Sequence, residues 1–264
     1  MLKGFLGEPG KLVSKPSLLL KGPTGAGKTD TLGKLAADGL RVLDVDIERR
    51  GENVQKYGVL FAYPETLDDL RELLIDVLPN REKRQELVKR LSDGKLGDID
   101  VVGIDSIVEV LDLLDRELRG EYPTKGGDKS YERWDQYGIR GVGFAKACRD
   151  LASGANGDPL GVIVTMGVVR KVSPTGEVYY DDFLKGNIIA PKLPFQFTYV
   201  MQLTSEFDGK EVKFILQTAG EGLKGPGTNV LPPACDVTGT GMQRVWRELC
   251  KHATQSDASD ALAE

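Results

Sequence analysis

Eight residues, Gly22-Pro23-Thr24-Gly25-Ala26-Gly27-Lys28-Thr29, follow the pattern G-x-x-x-x-G-K-[ST]. Glycines in such a run let successive backbone N–H groups turn inward around an anion, and the helix start that follows adds further donors. Lys28 is spaced to reach the β- and γ-phosphates of a nucleoside triphosphate, and the Thr29 hydroxyl to complete a Mg²⁺ shell. With Asp30 directly after them, residues 22–30 form the candidate site for ATP and Mg²⁺.

Asp105 ends the apolar run Val101-Val102-Gly103-Ile104, which puts a carboxylate at the carboxyl end of a strand, where open α/β sheets bind ligands. Beside a phosphate loop it is the candidate Mg²⁺ acid, with Thr29 as the other metal ligand; the competing reading is a cap for the next helix. Ser106 is placed to assist it. Asp44, Asp46 and Glu48 alternate through the end of another strand, so all three are expected on one face. Glu48, furthest out, is the candidate for poising an attacking water, against a simple salt bridge to Arg49 or Arg50. Two carboxylates would repel a triphosphate, so one of the three is expected to face it. Thr165 is either a γ-phosphate sensor or an ordinary β-branched strand residue. The candidate catalytic set is therefore Lys28, Glu48 and Thr165.

The elements that must hold these residues follow from the apolar patterning. Ser17–Lys21 reads as a buried strand, then the glycine-rich turn, then a helix from Lys28 to about Asp38 stopped by Gly39. Strands are expected at Leu40–Ile47, Leu60–Tyr63, Ile99–Ile104 and Leu160–Met166. Helices are expected from Thr66, a capping residue with Asp69 three positions on, to Pro79; over Arg81–Leu91, whose alternating charges suggest a solvated face; from Ile107 through Leu118; and over Ile139–Ala152. Gly120–Gly138, with Pro123, Gly126-Gly127, Tyr131, Trp134 and Tyr137, reads as a loop. Ser173-Pro174-Thr175-Gly176 is expected as a turn joining Val168–Val172 to Glu177–Tyr180, and Phe197–Thr204 pairs with Glu211–Thr218 as a hairpin through Asp208-Gly209. The division is a single domain over 1–250 and a polar, disordered tail over 251–264.

Composition narrows the rest. The 264 residues, 40% apolar, support one sizeable α/β core. No run of eighteen apolar residues and no leader pattern at Met1–Pro16 are present, so a cytoplasmic protein without a membrane span is expected. Cys148, Cys235 and Cys250 lack paired spacing, and the single histidine, His252, reads as a tail residue, so neither a disulfide framework nor a zinc site is expected. A net charge of −5 supplies no global field for nucleic acid, which leaves local patches such as Arg170, Lys171, Lys185 and Lys224.

Taken in order, GPTGAGKT at 22–29, DIE at 46–48, Ile-Asp-Ser at 104–106 and VIVTM at 162–166 resemble the RecA-type ATPase core, and in particular the short phage-encoded ATPases linked to single-strand annealing and recombination. The resemblance covers about residues 15–233. It implies an α/β RecA-like fold with a mostly parallel central sheet, flanking helices and a C-terminal antiparallel hairpin. It also implies Glu48 as the water-activating acid, Asp105 as the Mg²⁺-linked acid and Lys224 as a basic residue reaching a neighbour's nucleotide. Single-stranded DNA would meet loops 120–137 and 172–192, the latter including Gly186-Asn187, in a homo-oligomeric ring or filament. Thr165-Met166 departs from the Asn-Gln pair of RecA itself. Two other classes fit the loop alone: a small-molecule kinase or transferase with the Arg81–Arg90 helix as a lid, and a nucleotide-gated assembly or packaging protein.

Overall fold

The computed structural model describes residues 14–122, 129–176, 178–184, 189–207, 209–219, 223, 228 and 230–260. The chain runs β1 (Ser17–Gly22), α1 (Lys28–Ala37), β2 (Val42–Asp46), α2 (Glu52–Gln55), β3 (Leu60–Ala62), α3 (Leu67–Arg71, continued as a π-helical turn over Glu72–Val77) and α4 (Arg81–Leu91). It continues through β4 (Val101–Asp105), α5 (Ile107–Glu121), α6 (Lys129–Ser153), β5 (Gly161–Val172), β6 (Val178–Asp182) and α7 (Ile189–Lys192). The last elements are β7 (Tyr199–Phe207), β8 (Val212–Gln217), β9 (Ala234–Asp236) and α8 (Gly241–Asp260).

Among the described residues the strands form one sheet in the order β3-β2-β4-β5-β1-β7-β8-β9, with β6 added to the far half of β5. The six strands from β3 to β7 pair in parallel, and β7-β8-β9 and β5-β6 are antiparallel. This is the α/β architecture expected, closed at its C-terminal side by the expected hairpin. Leu18, Leu19 and Leu20 are fully buried because β1 has sheet neighbours on both sides and helices over both faces, which explains its unbroken apolar run. One core, built around Leu19, Leu43, Val102 and Val164, lies under α3, α5 and α6. The other, around Leu18, Leu20, Leu32 and Ile163, lies under α1 and α8.

The structure corrects several expectations. Lys129–Gly138 belong to α6 and are not loop: Tyr137 is buried and meets Trp134 edge-on at 5.4 Å. Residues 123–128, which carry the breakers Pro123 and Gly126-Gly127, lie outside the described residues. The strand expected at Leu160–Met166 runs on without a break to Val172. The turn at Ser173–Gly176 then joins it to antiparallel β6, in agreement with the pairing expected of Val168–Val172 with Glu177–Tyr180, and α7 follows within the segment 172–192. The face of α4 is not wholly solvated. Arg84 is buried, donating to Asp98 at 2.7 Å and to the Leu78 carbonyl at 2.8 Å. The tail expected to be disordered from 251 is helical to Asp260 as part of α8, which the sequence reading did not foresee. His252 is correspondingly no tail residue, its Nδ1 lying 2.9 Å from the Tyr199 hydroxyl. No helix among the described residues is long and apolar enough to cross a membrane.

Candidate functional site

The phosphate-loop residues occupy the turn between the end of β1 and the first turn of α1. Two of its glycines are required by the surroundings. A Cβ on Gly22 would sit 2.6 Å from the Leu203 carbonyl oxygen, and Gly27, with φ of 84°, occupies the left-handed region as it starts α1. The Lys28 ammonium donates to the carbonyls of Gly22 and Pro23 at 2.8 and 3.0 Å, so it lies folded over the loop it belongs to. Burial pulls its pKa below that of an ordinary lysine, while the charges of Asp105 and Glu48 pull the other way.

The register brings the later residues to the same end of the sheet. Asp46 pairs with Asp105 across β2 and β4, and the β5 strand next to β4 carries Thr165. The Asp105 carboxylate accepts from both sides. Thr29 Oγ1 donates to its Oδ2 at 2.5 Å and Thr165 Oγ1 to its Oδ1. Thr165 is fully buried and is therefore a constituent of this cluster, not an outward-facing strand residue. The Asp105–Ser106 peptide is cis.

Asp44, Asp46 and Glu48 do not share one environment, in contrast to the expectation. Asp44 and Asp46 are buried in β2. Asp46 accepts from the Gly51 amide at 2.7 Å, whereas both oxygens of Asp44 are without a hydrogen-bond partner. Burial, then the charges of Asp105 and Asp46, holds the Asp44 carboxyl well above the usual carboxylate range. Glu48 lies beyond the strand end, where the Ile47 amide donates to the Asp105 carbonyl and Arg49, with φ of 56°, turns the chain away. Its carboxylate accepts from Ser106 Oγ at 3.4 Å and pairs with Arg50 at 2.9 Å. Burial raises its pKa, which the Arg50 charge opposes.

Lys28, Thr29, Asp105, Thr165 and, through Ser106, Glu48 are thus brought together. Asp30, in the same first turn of α1, is paired instead with Lys34 at 3.2 Å. Lys224, Lys185 and Gly186-Asn187 lie outside the described residues. Lys171 is engaged with Asp181 at 2.6 Å across the β5–β6 hairpin. A Mg²⁺ ion fits the donor set in one way. The described residues contain no group of three or more acids, cysteines or histidines able to cage a metal. Thr29 and Asp105 would therefore contribute two oxygens, with the phosphates and water supplying the rest.

Sequence reasoning missed two groups beside the loop. Lys21, the residue before Gly22, is buried in an ion pair with Asp182 of β6. Phe214 of β8 presses its ring on Gly27. The chain spaces each pair far apart, and only an unexpected lysine in the apolar run Ser17–Gly22 signalled the first.

No protein-family model matches the chain. No curated protein matches it either. A solved structure it is similar to is the KaiC-like protein PH0186 from the hyperthermophilic archaeon Pyrococcus horikoshii OT3, at 12% identity and a TM-score of 0.41, with 86% of this chain and 88% of that chain covered. A likeness that distant carries no argument about activity, and the functional reading rests on the site.

Proposed function

We propose that the chain is a RecA-like, Mg²⁺-dependent ATPase that works as a homo-oligomer on single-stranded DNA. One observation carries the catalytic part: Asp105 is held between the hydroxyls of Thr29 and Thr165 at the mouth of a glycine loop that also carries Lys28. In this reading Lys28 exchanges the Gly22 and Pro23 carbonyls for phosphate oxygens, and residues 22–30 bind the nucleotide through backbone N–H groups. When bound, Mg²⁺ would neutralise charge on the phosphates, held through Thr29 and Asp105. Glu48 accepts the proton of the attacking water; its raised pKa favours that role, and Ser106 orients it.

The test is Glu48→Gln, which keeps shape and removes the base. ATP binding should persist while turnover falls about 10²- to 10⁴-fold, as expected for loss of a positioned general base. Unchanged turnover would remove Glu48 from the mechanism.

The DNA part is supported by exposed Tyr131 near the start of α6 and by the β5–β6 hairpin, where Val172, Tyr179 and Phe183 are exposed. Tyr137 is withdrawn from that role by its burial. Oligonucleotide binding should weaken as salt rises; none at low salt would favour the assembly or packaging reading. The kinase reading loses its lid, because α4 is anchored by buried Arg84 on Asp98.

A further inference from the structure

The strand order separates the two ends of the candidate nucleotide site. Asp105 on β4, Thr165 on β5 and Glu48 after β2 all lie on one side of β1, whereas β7 and β8 lie on the other. With the terminal phosphate directed at Asp105, the nucleoside leaves the loop toward β7 and β8. On that side stands Phe214. Its Cε1 would be 2.8 Å from a Cβ on Gly27 and its Cδ1 3.2 Å, so the ring edge abuts the residue that starts α1.

The ring is fixed there by its backbone. The Phe214 amide donates to Thr238 Oγ1 at 3.0 Å, and its carbonyl accepts from the Val237 amide at 2.8 Å. Phe214 is half-buried at the edge of the core beneath α1 and α8, and a cation lies over its ring: Lys34 Nζ is 4.4 Å from the ring centroid. That ring face therefore meets polar surroundings. Lys34 also contacts the Asp30 carboxylate at 3.2 Å, so it can withdraw along α1 toward Asp30 without losing a partner for its charge.

We propose that Phe214 is the surface on which the nucleobase stacks, with Lys34 neutralising Asp30 beside the phosphate loop. The inference rests on the nucleotide reading above. A hydrocarbon ring reads only the π face of a base and supplies neither donor nor acceptor, so adenine and guanine gain equally from it.

The experiment compares equilibrium binding of ATP, GTP and inorganic tripolyphosphate to the wild type, Phe214→Leu, Phe214→Tyr and Lys28→Ala. Phe214→Leu keeps apolar bulk against Gly27 and removes the ring. It should weaken ATP and GTP alike by about 5- to 150-fold while leaving tripolyphosphate unchanged, and Phe214→Tyr should restore both nucleotides. ATP affinity unchanged in Phe214→Leu, or tripolyphosphate weakened as much as ATP, would overturn the stacking role; the second result would make the ring a support for the loop. Lys28→Ala separates the two levels. If it leaves ATP and tripolyphosphate binding intact, the phosphate-loop reading itself fails, and the stacking assignment with it. If an unstable Leu variant precludes titration, Phe214→Trp replaces it: ATP should quench the new indole and tripolyphosphate should not, and absence of quenching by ATP overturns the proposal.

Discussion

Asp44 is fully buried in β2 with neither carboxylate oxygen hydrogen-bonded, and Asp105 and Asp46 add negative charge beside it. Burial of a charge without a partner is costly, so the folded protein holds this carboxyl in its protonated form to a higher pH than the unfolded chain does. The sign follows by linkage. With the folded pKa raised, the favourable contribution is complete below the unfolded value and is lost as pH rises through the folded value. Asp44→Asn, which mimics the neutral acid, should therefore gain stability relative to wild type as pH rises from the ordinary carboxylate range to pH 8, measured by thermal unfolding without nucleotide. A gap independent of pH would show that Asp44 is ionised in the fold. Of the candidate site, the positions of Gly22–Thr29 at the turn into α1 and of Asp105 at the end of β4 were legible in the sequence, because each depends on local spacing. Glu48 was singled out as the outermost acid, but the burial of Asp44 and Asp46 was not legible, because alternation gives the face of a strand and not what packs over it.

Between elements, the strongest unforeseen tie is the buried pair of Lys21 on β1 with Asp182 on β6, in which the second Asp182 oxygen has no partner. Removing one member leaves the other charged, buried and uncompensated. Lys21→Met should cost about 3–5 kcal/mol in urea unfolding, and Lys21→Met with Asp182→Leu should recover most of that loss. A double variant as unstable as the single would mean that the pair does not act as a unit. Element types were mostly readable, and the errors have physical causes. Pro123, Gly126-Gly127 and Gly138 suggested a loop up to residue 138, yet α6 begins at Lys129. Within it, a Cβ at Gly141 would lie 2.7 Å from Ile189 and 2.9 Å from Leu111, so that glycine lets α6 approach its neighbours closely. Helix α8 was not read as a helix, and its part from 251 was taken as tail, although Met242, Val245, Trp246 and Leu249 bury one stripe of it against the sheet.

At the scale of the whole molecule, the sequence showed strands alternating with helices and hence a mostly parallel sheet, but not which strands are neighbours. Pairing joins residues such as Leu18 and Tyr199, far apart in the chain and alike in being apolar strand residues. That order underlies the proposed function, since it sets Asp105 and Phe214 on opposite sides of the phosphate loop. A ligand that bridges strands of the folded sheet has no equivalent site in the unfolded chain. ATP with Mg²⁺ at one hundred times its dissociation constant should therefore stabilise the fold by about 2.7 kcal/mol, seen as a rise in melting temperature that Lys28→Ala abolishes. An equal rise in the Lys28→Ala protein would place the binding elsewhere.

Strand β5 is one uninterrupted run of twelve residues that carries Thr165 at the candidate nucleotide site and Val172 at the outer end of the hairpin. Seven residues separate them, about 23 Å at the rise of an extended strand. The Lys21–Asp182 ion pair lies beside the middle of β5, where it ties β6 to β1. Over the length from Thr165 to Val172 a tilt of about 5° about Thr165 would displace the hairpin tip by about 2 Å, so the exposed end is the part of β5 most sensitive to the orientation of the strand whose Thr165 donates to Asp105.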